Sequence, residues 1–104
     1  MVDIKAYQNK IIEFYKKRNW YQLDPFIRIN FLTEEVGEVS RAVRTIEIGR
    51  DRPDEKVPLN MHENLVEELG DVLDNLLIIA DKYQISLEDI MESHLSKLEK
   101  RYKE

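Results

Sequence analysis

Apolar residues recur along the chain at intervals of three and four, the spacing that lines one face of an α-helix. No stretch alternates apolar with polar residues as a strand would. Four such segments are separated by prolines, glycines and capping residues. The first runs from about Asp3 to Asn19, with Ile4, Tyr7, Ile11, Ile12 and Tyr15 in one stripe and a polar face rich in lysine. Asp24 before Pro25 reads as the N-cap and first position of a second helix, which continues to about Ile48 and is ended by Gly49. Asn60 and Glu63 form a capping pair for a third helix reaching about Tyr83. Ser86 and Asp89 repeat that logic for a fourth, which aligns Leu87, Ile90 or Met91, Leu95, Leu98 and Tyr102. Lys97, Lys100, Arg101 and Lys103 lie near its negative end. The pattern predicts an all-α fold, a four-helix bundle. Residues 49–59, GRDRPDEKVPL, combine charge with two prolines and a glycine and are expected to form a mobile connection, a candidate lid.

Two helices place acids where solubility does not need them. At about 100° per residue from Glu35, the residues Phe31, Leu32, Val36, Val39, Ala42, Val43 and Ile46 fall within an arc from about −40° to about 100°. Glu35 therefore sits inside the apolar face and Glu38 at its edge. On the third helix Leu65, Leu69, Val72, Leu76, Ile79 and Tyr83 form the apolar face. Glu68, Asp71 and Asn75 make a polar stripe along its border, while Glu67, Asp74 and Asp81 project away. Carboxylates facing a common interior repel one another and lose hydration, so a cation is expected among Glu35, Glu38, Glu68 and Asp71. An oxygen-only set favours Mg²⁺ or Mn²⁺ over zinc. The competing reading is that each acidic pair belongs to a solvated face, since 36% of the residues are charged. A carboxylate-bridged iron centre would add histidine at E-x-x-H spacing, and neither His62 nor His94 follows a glutamate in that way. His62 is expected on the surface of a first turn and His94 partly buried on the fourth helix.

Length and charge narrow the setting. A chain of 104 residues is expected to form one domain spanning 1–104, with association into a homo-oligomer completing a small core. A net charge of −5 argues against a nucleic-acid partner. There is no cysteine, no signal-like apolar N-terminus, and no apolar run near the roughly 20 residues of a membrane span. A cytoplasmic protein with no membrane partner is the expectation.

The segments LTEEVGEVSRA and ENLVEELGDVLDNLL resemble the two-helix signature of the MazG-like nucleotide pyrophosphohydrolases. The pattern is E-x-x-E followed by E-x-x-D, met here by Glu35 and Glu38, then Glu68 and Asp71. The flanking RNWYQLDPFIRINFL and KLEKRY extend the resemblance over essentially the whole chain. It implies Mg²⁺-dependent hydrolysis of a nucleoside triphosphate to a monophosphate and pyrophosphate, with all four acids ligating metal. Among them Glu35 is the candidate general base, because apolar surroundings raise its proton affinity. Lys97 and Arg101, one turn apart, are candidates for phosphate binding, or simply complement the helix dipole. Arg50, Arg52 and Lys56 could instead close from the loop or form a solvated linker. Asn75 could bond the ribose or orient a ligand carboxylate. Trp20 could stack on the base or serve packing, as could Tyr21 and Phe26, with packing favoured for those two. Two alternatives stand beside this reading: a phosphoribosyl-ATP pyrophosphohydrolase, and a non-enzymatic helical module whose acids bind a structural cation or partner lysines.

Overall fold

A computed structural model describes residues 3–103, so Met1, Val2 and Glu104 of the expected 1–104 domain lie outside the described residues. Four helices and no strand are found among them: α1 (Ile4–Lys17), α2 (Pro25–Glu47), α3 (Met61–Lys82) and α4 (Leu87–Arg101). Each start has a local cause. The side chains of Asp3, Asp24, Asn60 and Ser86 accept bonds from the backbone N–H groups of Ala6, Phe26, Glu63 and Asp89 at 2.8, 2.8, 2.9 and 3.0 Å. These caps satisfy donors that the first helical turn leaves open. The ends of α1 and α3 are closed by residues in the left-handed region, Asn19 (φ 60°) and Gln84 (φ 56°). At the first, the Trp20 N–H turns back to the Tyr15 carbonyl at 2.9 Å; at the second, Ile85 bonds Ala80 in the same way.

Among the described residues the internal contacts group into two compact units, one comprising 3–21 and 77–103, the other Gln22–Leu76. In the first, Ile12, Leu77, Ile78 and Ala80 are buried. Gln8 is buried with them, and its amide nitrogen donates to the Leu77 carbonyl at 3.0 Å. Tyr21 donates its hydroxyl to Asp81 at 2.6 Å, while Lys82 reaches the Tyr21 carbonyl at 2.6 Å. The bond to Asp81, then burial and the Asp81 charge, pushes the Tyr21 phenol up to about 12. Tyr21 is thus half-buried and bonded to two residues at the end of α3. His94, expected to be partly buried, is exposed like every residue from Glu88 to Lys103, because α4 buries none of its side chains among the described residues.

In the second unit the buried side chains are Ala42, Thr45, Arg28 and Asn75. Phe26, expected to pack, is instead 85% exposed. The 49–59 segment, expected as a mobile connection, is held to the end of α2 by side-chain bonds. Arg44 of α2 donates to the Gly49 carbonyl and to Glu55, both at 2.9 Å, and the other Glu55 oxygen accepts from the Asp51 N–H at 3.1 Å. The Arg44 bond holds the Glu55 carboxyl below its usual range. Arg50 and Arg52 are engaged inside the same segment, with the Pro53 carbonyl and Asp54.

With so few side chains fully buried, each contributes a large share of stability. Ile78→Ala at a 0% exposed position is expected to cost about 3 kcal/mol, read as a lowered midpoint in urea denaturation.

Candidate metal centre

Arg28 meets Asn75, and Glu35 meets Glu68 and Asp71, so α2 and α3 pass each other in opposite directions within their unit. Two turns separate Arg28 from Glu35 on α2, and one turn separates Asp71 from Asn75 on α3. The facing side chains therefore stack in layers, as the wheel positions require.

One layer is acidic. Glu35, Glu68 and Asp71 each present a carboxylate oxygen such that all three lie within 4.8 Å of one another. Glu35 and Glu68 are half-buried and Asp71 is exposed. Burial is the largest cause raising the Glu35 carboxyl above its ordinary value, followed by the charges of Asp71 and Glu68, a hydrogen bond with Asp71, and the charge of Glu38. Burial likewise leads for Glu68, with Asp71, Glu38 and Glu67 adding repulsion. Glu38 is exposed and outside the three-residue cluster, though near enough for its charge to act on both glutamates.

The donor chemistry fits a hard divalent cation: three carboxylates from two rigid helices, one of them open to solvent. Neither histidine takes part in the cluster. A cation there would offset the repulsion that now favours protonation at Glu35 and Glu68.

The neighbouring layer is polar and buried. Arg28 and Asn75 are each 4% exposed, and the guanidinium donates to the Asn75 oxygen at 3.0 Å. The Asn75 nitrogen in turn donates to the Asp71 backbone carbonyl at 2.8 Å. Asn75 is thus tied to the main chain at Asp71, and its oxygen is occupied by Arg28. Arg28 escaped the sequence reading; its signal was a place on the same face of α2, two turns before Glu35.

Trp20, Lys97 and Arg101 belong to the other unit. Trp20 is 44% exposed and makes edge contacts with Phe14 and Tyr15, ring centroids 6.1 and 5.5 Å away. Lys97 and Arg101 are exposed on α4, Lys97 beside Asp89, Ser93 and His94 along an open groove.

Fold and site together define an all-helical protein whose two central segments carry an oxygen-only cluster suited to a divalent cation. Residues 27–104 match the MazG nucleotide pyrophosphohydrolase domain. A Bacillus subtilis (strain 168) protein, known as uncharacterized protein YvdC, is 55% identical over 92 residues, covering 86% of this chain and 87% of that one. The chain belongs to the MazG nucleotide pyrophosphohydrolase domain family.

Because their carboxyls bind protons more tightly folded than unfolded, Glu35 and Glu68 withdraw stability as pH rises through their raised folded-state values. Glu35→Gln is therefore expected to raise the metal-free Tm by a few degrees at neutral pH, with the gain vanishing in acid. Thermal melts of both proteins in chelator across that range check this.

Proposed function

We propose that the protein hydrolyses nucleoside triphosphates between the α- and β-phosphates, releasing a nucleoside monophosphate and pyrophosphate, with Mg²⁺ as cofactor and Mn²⁺ as a substitute. The observation that supports this most is the convergence of Glu35, Glu68 and Asp71 from α2 and α3 in a chain of this family. Glu68 and Asp71 hold metal with Glu35, and Glu38 supplies the fourth carboxylate of the E-x-x-E and E-x-x-D pattern. A divalent cation held by these carboxylates would supply charge neutralisation for the phosphates and Lewis-acid polarisation at the attacked phosphorus.

The remaining roles fall to the chain's own groups. Glu35, whose proton affinity is raised by burial and by its acidic neighbours, accepts a proton from the attacking water. Asn75 orients the ligand carboxylates or the sugar from the next layer. Lys97 and Arg101 contribute positive charge toward the triphosphate, and the half-exposed Trp20 stacks on the base. A cytoplasmic setting suits a chain with no cysteine. Among the described residues no helix is long and apolar enough to cross a membrane. Large apolar side chains remain exposed on α2, α3 and α4, which supports association of copies into a homodimer or homotetramer.

The test is pyrophosphate release from canonical and modified nucleoside triphosphates, with phosphoribosyl-ATP in the same panel, in Mg²⁺ or Mn²⁺. Monophosphate and pyrophosphate are expected from one or a few compounds, lowered at least about 100-fold in Glu38→Gln and Glu68→Gln. Release from phosphoribosyl-ATP alone would redirect the substrate. No release at all from folded, metal-binding protein would reject hydrolysis in favour of a non-enzymatic module.

A further inference from the structure

Arg28 is 4% exposed, a degree of burial that charged side chains reach only when partners hold them. Two neighbours do so here. The Phe31 ring, about one turn on along α2, has its centroid 5.6 Å from the guanidinium carbon, and the Asn75 oxygen on α3 accepts from the guanidinium at 3.0 Å. Asn75 is equally buried and commits its amide nitrogen to the Asp71 carbonyl at 2.8 Å. With the nitrogen placed, the oxygen is the part of that amide left to face Arg28.

This bond and the acidic layer share one register. Seven residues lead forward from Arg28 to Glu35 on α2, and seven lead back from Asn75 to Glu68 on α3. In an antiparallel pair the two contacts therefore form together, about 10 Å apart along the helices. A slide of one turn breaks the match in either direction. One way sets the guanidinium against the Asp71 carboxylate and draws that acid out of the cluster; the other turns the guanidinium toward the apolar Ile79, where a buried charge is costly. Apolar ridges tolerate such a slide, whereas a buried polar pair fixes the register.

We propose that Arg28 is a positioning residue for the divalent cation: through its bond to Asn75 it sets the α2–α3 register and the place of Asp71, so that Glu35, Glu68 and Asp71 reach one ion. It touches neither the metal nor the substrate. The inference rests on the reading of these acids as a cation site and is independent of which compound is hydrolysed.

Titration of Mn²⁺ into the chelator-stripped chain, followed by electron paramagnetic resonance, reports both the free ion and the symmetry of the bound one. It is carried out on the wild type, on Arg28→Met, and on the double variant Arg28→Met with Asn75→Leu. Replacing both partners by apolar groups is better tolerated than removing one and leaving the other buried, so the double variant decides should the single one unfold. Mn²⁺ affinity is expected to fall about 10-fold in both, with an altered spectrum of the bound ion, while circular dichroism stays helical. Ile78→Ala, which lowers stability from the core of the other unit, is expected to bind Mn²⁺ as the wild type does. Wild-type affinity and spectrum in the folded double variant overturn the positioning role alone. An equal loss in Ile78→Ala also overturns it, because the effect is then general destabilisation. A wild-type chain that binds no Mn²⁺ overturns the cation site and this role together.

Discussion

Mutual repulsion among Glu35, Glu68 and Asp71 is the constraint around which the α2–α3 unit is organised. Their oxygens lie within 4.8 Å of one another, close enough that ionising all three without a counter-charge is unfavourable in a half-buried site. Protonation relieves this, and so does a divalent cation. The same strain that costs stability without metal becomes binding free energy with it, since ligation displaces the protons that burial favours.

Rigid supports keep the acids from moving apart. Both ligand-bearing segments are long helices with side-chain caps, 23 residues in α2 and 22 in α3. The Arg28–Asn75 layer ties the two together beside the acids, and Asn75 also bonds the main chain at Asp71. Beyond the C-terminal end of α2, the Arg44–Glu55 pair frames the connecting segment. Ala42 is the only apolar side chain in this unit that is buried among the described residues. An uncovered apolar face is the complement of that small core.

Much of this was legible in the sequence because the deciding interactions are local. Asp24, Asn60 and Ser86 bond groups two or three residues away, so a short window predicts them. The helical period likewise separated Glu68 from Glu67, and Glu35, Glu68 and Asp71 come together while Glu38 of the expected four stays outside their cluster. What escaped depends on distant residues. Gln8 is buried because of Leu77, 69 positions on, and Arg28 because of Asn75, 47 positions on. The clasp between Arg44 and Glu55 spans only 11 residues, yet composition rich in proline and charge concealed it. His94 and Phe26 were misjudged because an apolar stripe does not say whether its cover comes from the same chain. Family resemblance supplied what geometry did not: the reaction, and the assignment of Trp20, Lys97 and Arg101.

A divalent-cation site at the α2–α3 acids is tested by calorimetric titration of Mn²⁺ into chelator-stripped protein, repeated with Glu68→Gln. Saturable binding to the parent, lost or strongly weakened in a variant that remains helical, is the predicted result. Equal binding by both proteins, or none by either, would contradict it.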